Sequence, residues 1–126
     1  MKRPASLAEV ALRTEQRDEF DFHLAEFLDQ FYLERRFPML VEEPLLLLSK
    51  IENGQVADAY LAAVAVQLSR LLGIVPPGWA RNPKRALRSP WFAHPGSAIR
   101  ATLLAESPAA FRERNLFVSE NALTRA

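Results

Sequence analysis

The stretch Gln55-Val-Ala-Asp-Ala-Tyr-Leu-Ala-Ala-Val-Ala-Val-Gln-Leu-Ser-Arg-Leu-Leu-Gly73 decides the fold class. Val56, Tyr60, Val64, Leu68 and Leu72 recur every four residues and form one apolar stripe, which Leu61, Ala65 and Leu71 widen. Ala57, Ala59, Ala62 and Ala63 favour a helix and let neighbouring helices come close. Gly73 can take the left-handed conformation that ends a helix, and Pro76 and Pro77 prevent its resumption. At about 1.5 Å per residue the stretch is a rod of roughly 28 Å, the width of a small domain. The pattern predicts an all-α protein: a compact helical domain over 1–126 with one long central helix at about 55–72.

Composition agrees with a globular chain. Of 126 residues, 49% are hydrophobic and 25% charged, the balance of a folded domain and not of a disordered one. The absence of cysteine removes disulfides, thiol nucleophiles and cysteine-based zinc sites, and suits a reducing cytoplasm, which is the expected location. The opening Met-Lys-Arg-Pro is followed by Glu9, Arg13 and Glu15, so no apolar secretory core is expected. Asp58, Gln67, Ser69 and Arg70 make the central helix too polar to span a bilayer, and no membrane association is expected. The net charge of +1 conceals an asymmetry. Residues 1–55 carry seven Lys and Arg against eleven Asp and Glu, and residues 56–126 carry nine against four. The halves can neutralise each other inside the fold, or the basic half can face an acidic partner or nucleic acid.

On the N-terminal side of the rod, Ser6-Leu-Ala-Glu9 has the form of a capping box that opens a first helix running to about Arg17. An amphipathic helix follows at about 18–36, with Phe20, Leu24, Phe27, Leu28, Phe31 and Tyr32 on one face, closed by Pro38. Met39 to Glu43 reads as a connector. Pro44 then opens a short buried helix through Leu45, Leu46, Leu47 and Leu48, and Asn53-Gly54 makes the turn into the rod.

Beyond Gly73, residues 74–126 form a proline-punctuated subregion with Pro76, Pro77, Pro83, Pro90, Pro95 and Pro108. Asn82-Pro83 and Ser89-Pro90 each place a capping residue before a proline, a signature of short helix starts. Trp79, Trp91 and Phe92 supply enough apolar surface to pin this segment to a core. Ser97 caps a helix through Ile99, Leu103 and Leu104, and Ser107-Pro108 caps another from Ala109 to about Arg114. Asn115 ends it, and Leu116-Phe117-Val118 forms a brief extended anchor. Ser119 begins a final turn containing Leu123.

Chemistry-bearing motifs are sparse. No glycine loop for a pyrophosphate and no nucleophile elbow occur, so no cofactor and no catalytic residue is assigned. His23, beside Glu19 and Glu26 on the amphipathic helix, is the one place where a histidine–carboxylate metal or enzyme site is conceivable, given further ligands from another helix; no metal ligands are assigned. His94 reads as a packing residue in a proline-rich loop. The strongest candidate surface is basic. In a helix opened by Pro83, Arg81, Lys84, Arg85 and Arg88 share one side, with Arg112 and Arg114 as a second basic point and Trp79 and Trp91 nearby. Such a set suits an acidic protein surface, phosphate contacts with base stacking, or salt bridges to the 18–36 helix.

Ala105-Glu-Ser-Pro-Ala-Ala-Phe-Arg-Glu-Arg-Asn-Leu-Phe-Val-Ser119, with Pro77-Gly-Trp79-Ala and Pro90-Trp91-Phe92, resembles the C-terminal region of small bacterial antitoxin-like proteins encoded beside nucleotidyltransferase-like toxins. The likeness covers about residues 76–126. It implies a partner-binding, non-enzymatic role with a toxin-like protein neighbour. Some of these proteins also carry an N-terminal helix-turn-helix; residues 1–73 lack the short glycine turn that motif needs, so direct operator binding is not implied. Surplus Phe and Leu on 20–32 and 45–48 suggest a homodimer. Rods packed around a central rod are expected to leave no cleft furnished for bond-breaking, and so no polar pocket lined by converging ionisable groups.

Overall fold

The computed structural model describes residues 2–94 and 96–124; Pro95, one of the punctuating prolines, lies outside them. The fold is mostly helical. Helices α1 (Leu7–Arg13), α2 (Arg17–Glu34), α3 (Pro38–Val41) and α4 (Gly54–Leu72) are followed by two 3-10 turns, Gly78–Arg81 and Pro83–Arg85. Then come β1 (Trp91–Phe92), α5 (Ser97–Glu106), α6 (Ala109–Arg112) and β2 (Leu116–Phe117). The two strands pair in parallel, Trp91 with Leu116 and Phe92 with Phe117, and the Phe92 and Phe117 rings stack with centroids 5.0 Å apart.

The Ser6 hydroxyl accepts the Glu9 amide at 3.1 Å, but the Glu9 carboxylate reaches the amide of Ala5, one residue before the cap. α1 ends at Arg13, four residues short of the expected Arg17. Thr14 leaves the helix in an extended conformation, its buried hydroxyl donating to the Val10 carbonyl at 2.8 Å. α2 starts afresh because Glu19 accepts the amides of Glu15 and Gln16 at 3.0 and 2.8 Å. Phe20, Leu24, Phe27, Leu28 and Phe31 line its buried face. It stops at Arg35, which is left-handed at φ 50°, so Pro38 does not close α2 but opens α3 in the segment expected to be a connector.

The Leu45–Leu48 run is not a helix. It is backbone without regular structure leading into a turn, and of the four only Leu47 is buried completely. A helix would satisfy the backbone groups of this run internally; here side chains do so. The Asp58 carboxylate accepts the amides of Leu47 and Leu48 at 2.6 and 3.1 Å, and the Arg85 guanidinium donates to the Pro44 carbonyl. The run presses so closely on the start of α4 that a Cβ on Gly54 would lie 1.9 Å from the Leu47 carbonyl oxygen. Gly54 therefore answers a steric demand as well as the turn.

α4 is buried well beyond a single stripe. Ala59, Ala62, Ala63 and Ala65 are inaccessible alongside Leu61 and Val64, so the small side chains admit neighbours on several sides. It packs against α6 and both 3-10 turns. Leu71, expected to widen the apolar stripe, is exposed instead. Gly73 at φ 71° closes the helix, with the Ile74 amide donating to the Ser69 carbonyl at 3.0 Å.

In the C-terminal subregion Ser89-Pro90 leads into β1, not into a helix. The Trp91 amide donates to the Asn115 carbonyl at 2.9 Å, which draws the chain out straight. Ser107 is not the expected cap of α6 but the C-cap of α5: its hydroxyl accepts the Val118 amide at 2.8 Å and donates to the Leu103 carbonyl at 2.7 Å, tying the end of α5 to β2. Leu103 is buried, while Ile99 and Leu104 are exposed.

Candidate functional site

Six basic residues were candidates for one surface, and the structure divides them. Asn82 caps only a three-residue 3-10 turn, its side-chain oxygen accepting the Lys84 amide at 3.0 Å. Arg81 belongs to the preceding turn and Arg88 lies beyond this one, so no single helix sets Arg81, Lys84, Arg85 and Arg88 on one side. Arg81, Lys84 and Arg88 are exposed, whereas Arg85 is 0% exposed and belongs to the core. Its placement on the contact surface is therefore corrected. Arg85 donates to the Asp58 carbonyl at 3.3 Å and to Glu43 at 3.3 Å, and its guanidinium lies 4.9 Å from the centre of the Trp79 ring. Its partner is thus Glu43, not the acidic face of α2. Buried beside it, the Asp58 carboxyl is pushed above its ordinary range by desolvation, against the opposing pull of the Leu47 amide and of Arg85.

Arg114 is corrected in the same way. Only 8% exposed, it donates to the carbonyls of Ala110 at 2.8 Å and Ala80 at 3.0 Å. Burial lowers its pKa, partly countered by Glu113. These bonds, with the Leu87 amide on the Arg114 carbonyl at 3.1 Å and the Asn115 amide on the Leu87 carbonyl at 2.7 Å, join segment 80–88 to segment 110–115. Arg112 is exposed on α6, within the second of these joined segments, and Arg81 and Arg88 are exposed in the first. Among the described residues, Arg81, Lys84, Arg88 and Arg112 form no ion pair. Neither tryptophan is a free stacking platform beside them. Trp79 faces Arg85 and donates its indole N–H to the Leu40 carbonyl at 3.1 Å, and Trp91 packs against the core.

Trp91 instead lines a cleft of about 380 Å³, which corrects the expectation that none would be furnished with ionisable groups. Its floor is Phe20, Val56, Tyr60, Trp91 and Val118; its rim carries Arg17, Asp21, Glu52, Asn53, His94 and Ser119. The Tyr60 ring meets Phe20 and Phe111 edge-on at 6.4 and 5.0 Å. Burial, and then the nearby Asp21 carboxylate, push its phenol up to about 12, so it stays a hydrogen-bond donor at neutral pH. The rim residues come from α2, the start of α4 and the segments beside β1 and β2. Each is ordinary in its own stretch of sequence, and of the cleft's residues only Trp91 and His94 had been weighed for a functional role.

His23 is buried on α2 with its ring edge-on to Phe22 at 5.4 Å. Among the described residues no three His, Cys, Asp or Glu side chains cluster as a metal site would require, so His23 does not have the ligand set that reading needs. Among the described residues no helix is long and apolar enough to cross a membrane. The chain matches no protein-family model, no curated protein and no solved structure.

Proposed function

We propose that this protein is a non-enzymatic interaction module whose basic face docks an acidic surface of a protein partner. The observation that carries the reading is the outward charge of Arg81, Lys84, Arg88 and Arg112, unpaired among the described residues, on two segments that the buried Arg114 holds together. Unpaired exposed cations steer and select acidic partners more than they stabilise the fold that bears them. α4 serves as the central rod of the scaffold, and the surrounding shorter helices and turns fix the position of the basic segments against it. The resemblance of residues 76–126 gives the partner its proposed character: a toxin-like protein neutralised in the bacterial cytoplasm. Self-association belongs to the same reading, through exposed apolar side chains such as Phe22 and Leu48.

The test is co-expression with the product of the adjacent gene, followed by size exclusion. Co-elution that is lost in the variant R81E/K84E/R88E/R112E supports the proposal; separate elution of the wild-type proteins contradicts it. Mixed-sequence DNA and RNA form the competing arm. Retardation that weakens steeply with salt, without a protein partner, would move the basic face to nucleic acid.

A further inference from the structure

The cleft between α2, the start of α4 and the β1–β2 edge lies apart from the basic residues just described, and its chemistry is of the opposite sign. Its volume of about 380 Å³ falls in the range of small-molecule sites. A shallower groove shares Arg17, Asp21, Ile51 and Glu52 with it and adds Asp18, Glu15 and Lys50. Lys50 lies 3.5 Å from Glu15, so these two charges offset each other. Asp18, Asp21 and Glu52 form no ion pair among the described residues, and they face the single guanidinium of Arg17 at this mouth. The entrance is therefore net anionic. Below it the lining is aromatic, with Phe20, Tyr60 and Trp91. The electron-rich faces of indole and phenol attract cations, and the attraction grows as water is excluded.

We propose that this cleft binds a small organic cation with an apolar body, its charged head at Asp21 and Glu52 and its body against Phe20, Tyr60 and Trp91. An anion of the same shape would meet the same apolar floor but a repulsive entrance. The neutral Tyr60 phenol adds a hydrogen-bond donor for a polar atom on the ligand, separate from the charge at the entrance.

The experiment is a fluorescence titration of the full chain with phenethylammonium, with 3-phenylpropionate as the anion of similar shape. Trp91 is one of only two tryptophans, so its signal reports directly on the cleft. The expected result is a saturable change with phenethylammonium that disappears in Trp91→Phe and weakens at least about tenfold in D21N/E52Q, the loss of about 1.4 kcal/mol of binding. Asp21 and Glu52 are exposed, so that pair of substitutions leaves the fold intact, which an unchanged melting temperature verifies. Absence of saturable binding at millimolar phenethylammonium, equal binding of 3-phenylpropionate, or undiminished binding by D21N/E52Q would overturn the proposal. R81E/K84E/R88E/R112E retains phenethylammonium binding, because the cleft does not use the basic face. The two proposals therefore fail separately.

Discussion

Arg85 and Asp58 grip the segment from Pro44 to Leu48 from opposite ends. The Arg85 guanidinium donates to the Pro44 carbonyl and, at 3.3 Å, to the backbone carbonyl of Asp58 itself. The Asp58 carboxylate accepts the amides of Leu47 and Leu48 at 2.6 and 3.1 Å. A run of four leucines is held non-helical against α4 by two side chains distant in sequence. The Trp79 ring covers the guanidinium from the other side. This brace takes one arginine out of the middle of the basic run and leaves its neighbours in solvent.

Gly54 is the steric counterpart of the brace. A Cβ there would meet the Leu47 carbonyl oxygen at 1.9 Å and the Leu48 amide nitrogen at 2.8 Å, main-chain atoms held by the amides of Lys50 and Ile51 and by the Asp58 carboxylate respectively. Gly54→Ala is expected to lower unfolding free energy by about 2–4 kcal/mol, at or above the upper part of the usual overpacking range. Gly78→Ala, where nothing lies within 4 Å of the new Cβ, is expected to change it by no more than about 1 kcal/mol. Urea unfolding of the two variants measures both effects.

Tyr60 gives the protein an alkaline limit. Its phenol is raised from 10.0 to about 12 in the folded chain. The fold therefore favours the neutral form. That contribution is complete below pH 10 and is lost as pH rises through about 12. At full ionisation it amounts to roughly 2–3 kcal/mol. Urea unfolding at about pH 9 and about pH 11 should show a fall in wild-type stability that is much reduced in Tyr60→Phe. Phenolate absorbance of the folded protein should show Tyr60 titrating last.

Replacing the exposed basic residues should cost function and not stability. R81E/K84E/R88E/R112E is expected to unfold within about 0.5 kcal/mol of wild type, since surface substitutions away from packed features do little. The proposed partner association should weaken with rising salt in the wild type and be lost in the variant. A variant that binds as tightly as wild type would remove these residues from the interface.

The mostly helical class was legible because period-four apolar spacing is a local property, evident in Val56, Tyr60 and Val64 as in Phe20, Leu24 and Phe31. The break between α1 and α2 was not, because neither Gly nor Pro marks it; the available signal was Glu19 set to cap the amides of Glu15 and Gln16. The leucine run misled because its conformation depends on Asp58 and Arg85, which are 10 or more residues away along the chain. The basic cluster was visible as composition, but burial of Arg85 and Arg114 depends on which carbonyls the tertiary fold leaves open. The cleft was illegible for the same reason: Asp21, Glu52 and His94 meet only once α2, α4 and β1 are packed.

The division of the basic run into an internal brace and an outward face is tested most directly by urea unfolding of Arg85→Met beside Arg88→Met. Removing the Arg85 guanidinium leaves the buried Pro44 carbonyl without a donor, at about 1–3 kcal/mol, and further costs the second bond on the helical Asp58 carbonyl and the contact with the Trp79 ring, at about 1 kcal/mol each. The predicted result is a loss of roughly 3 kcal/mol or more for Arg85→Met and no more than about 0.5 kcal/mol for Arg88→Met. Equal, small losses for both would contradict it, because Arg85 would then be one more solvated cation.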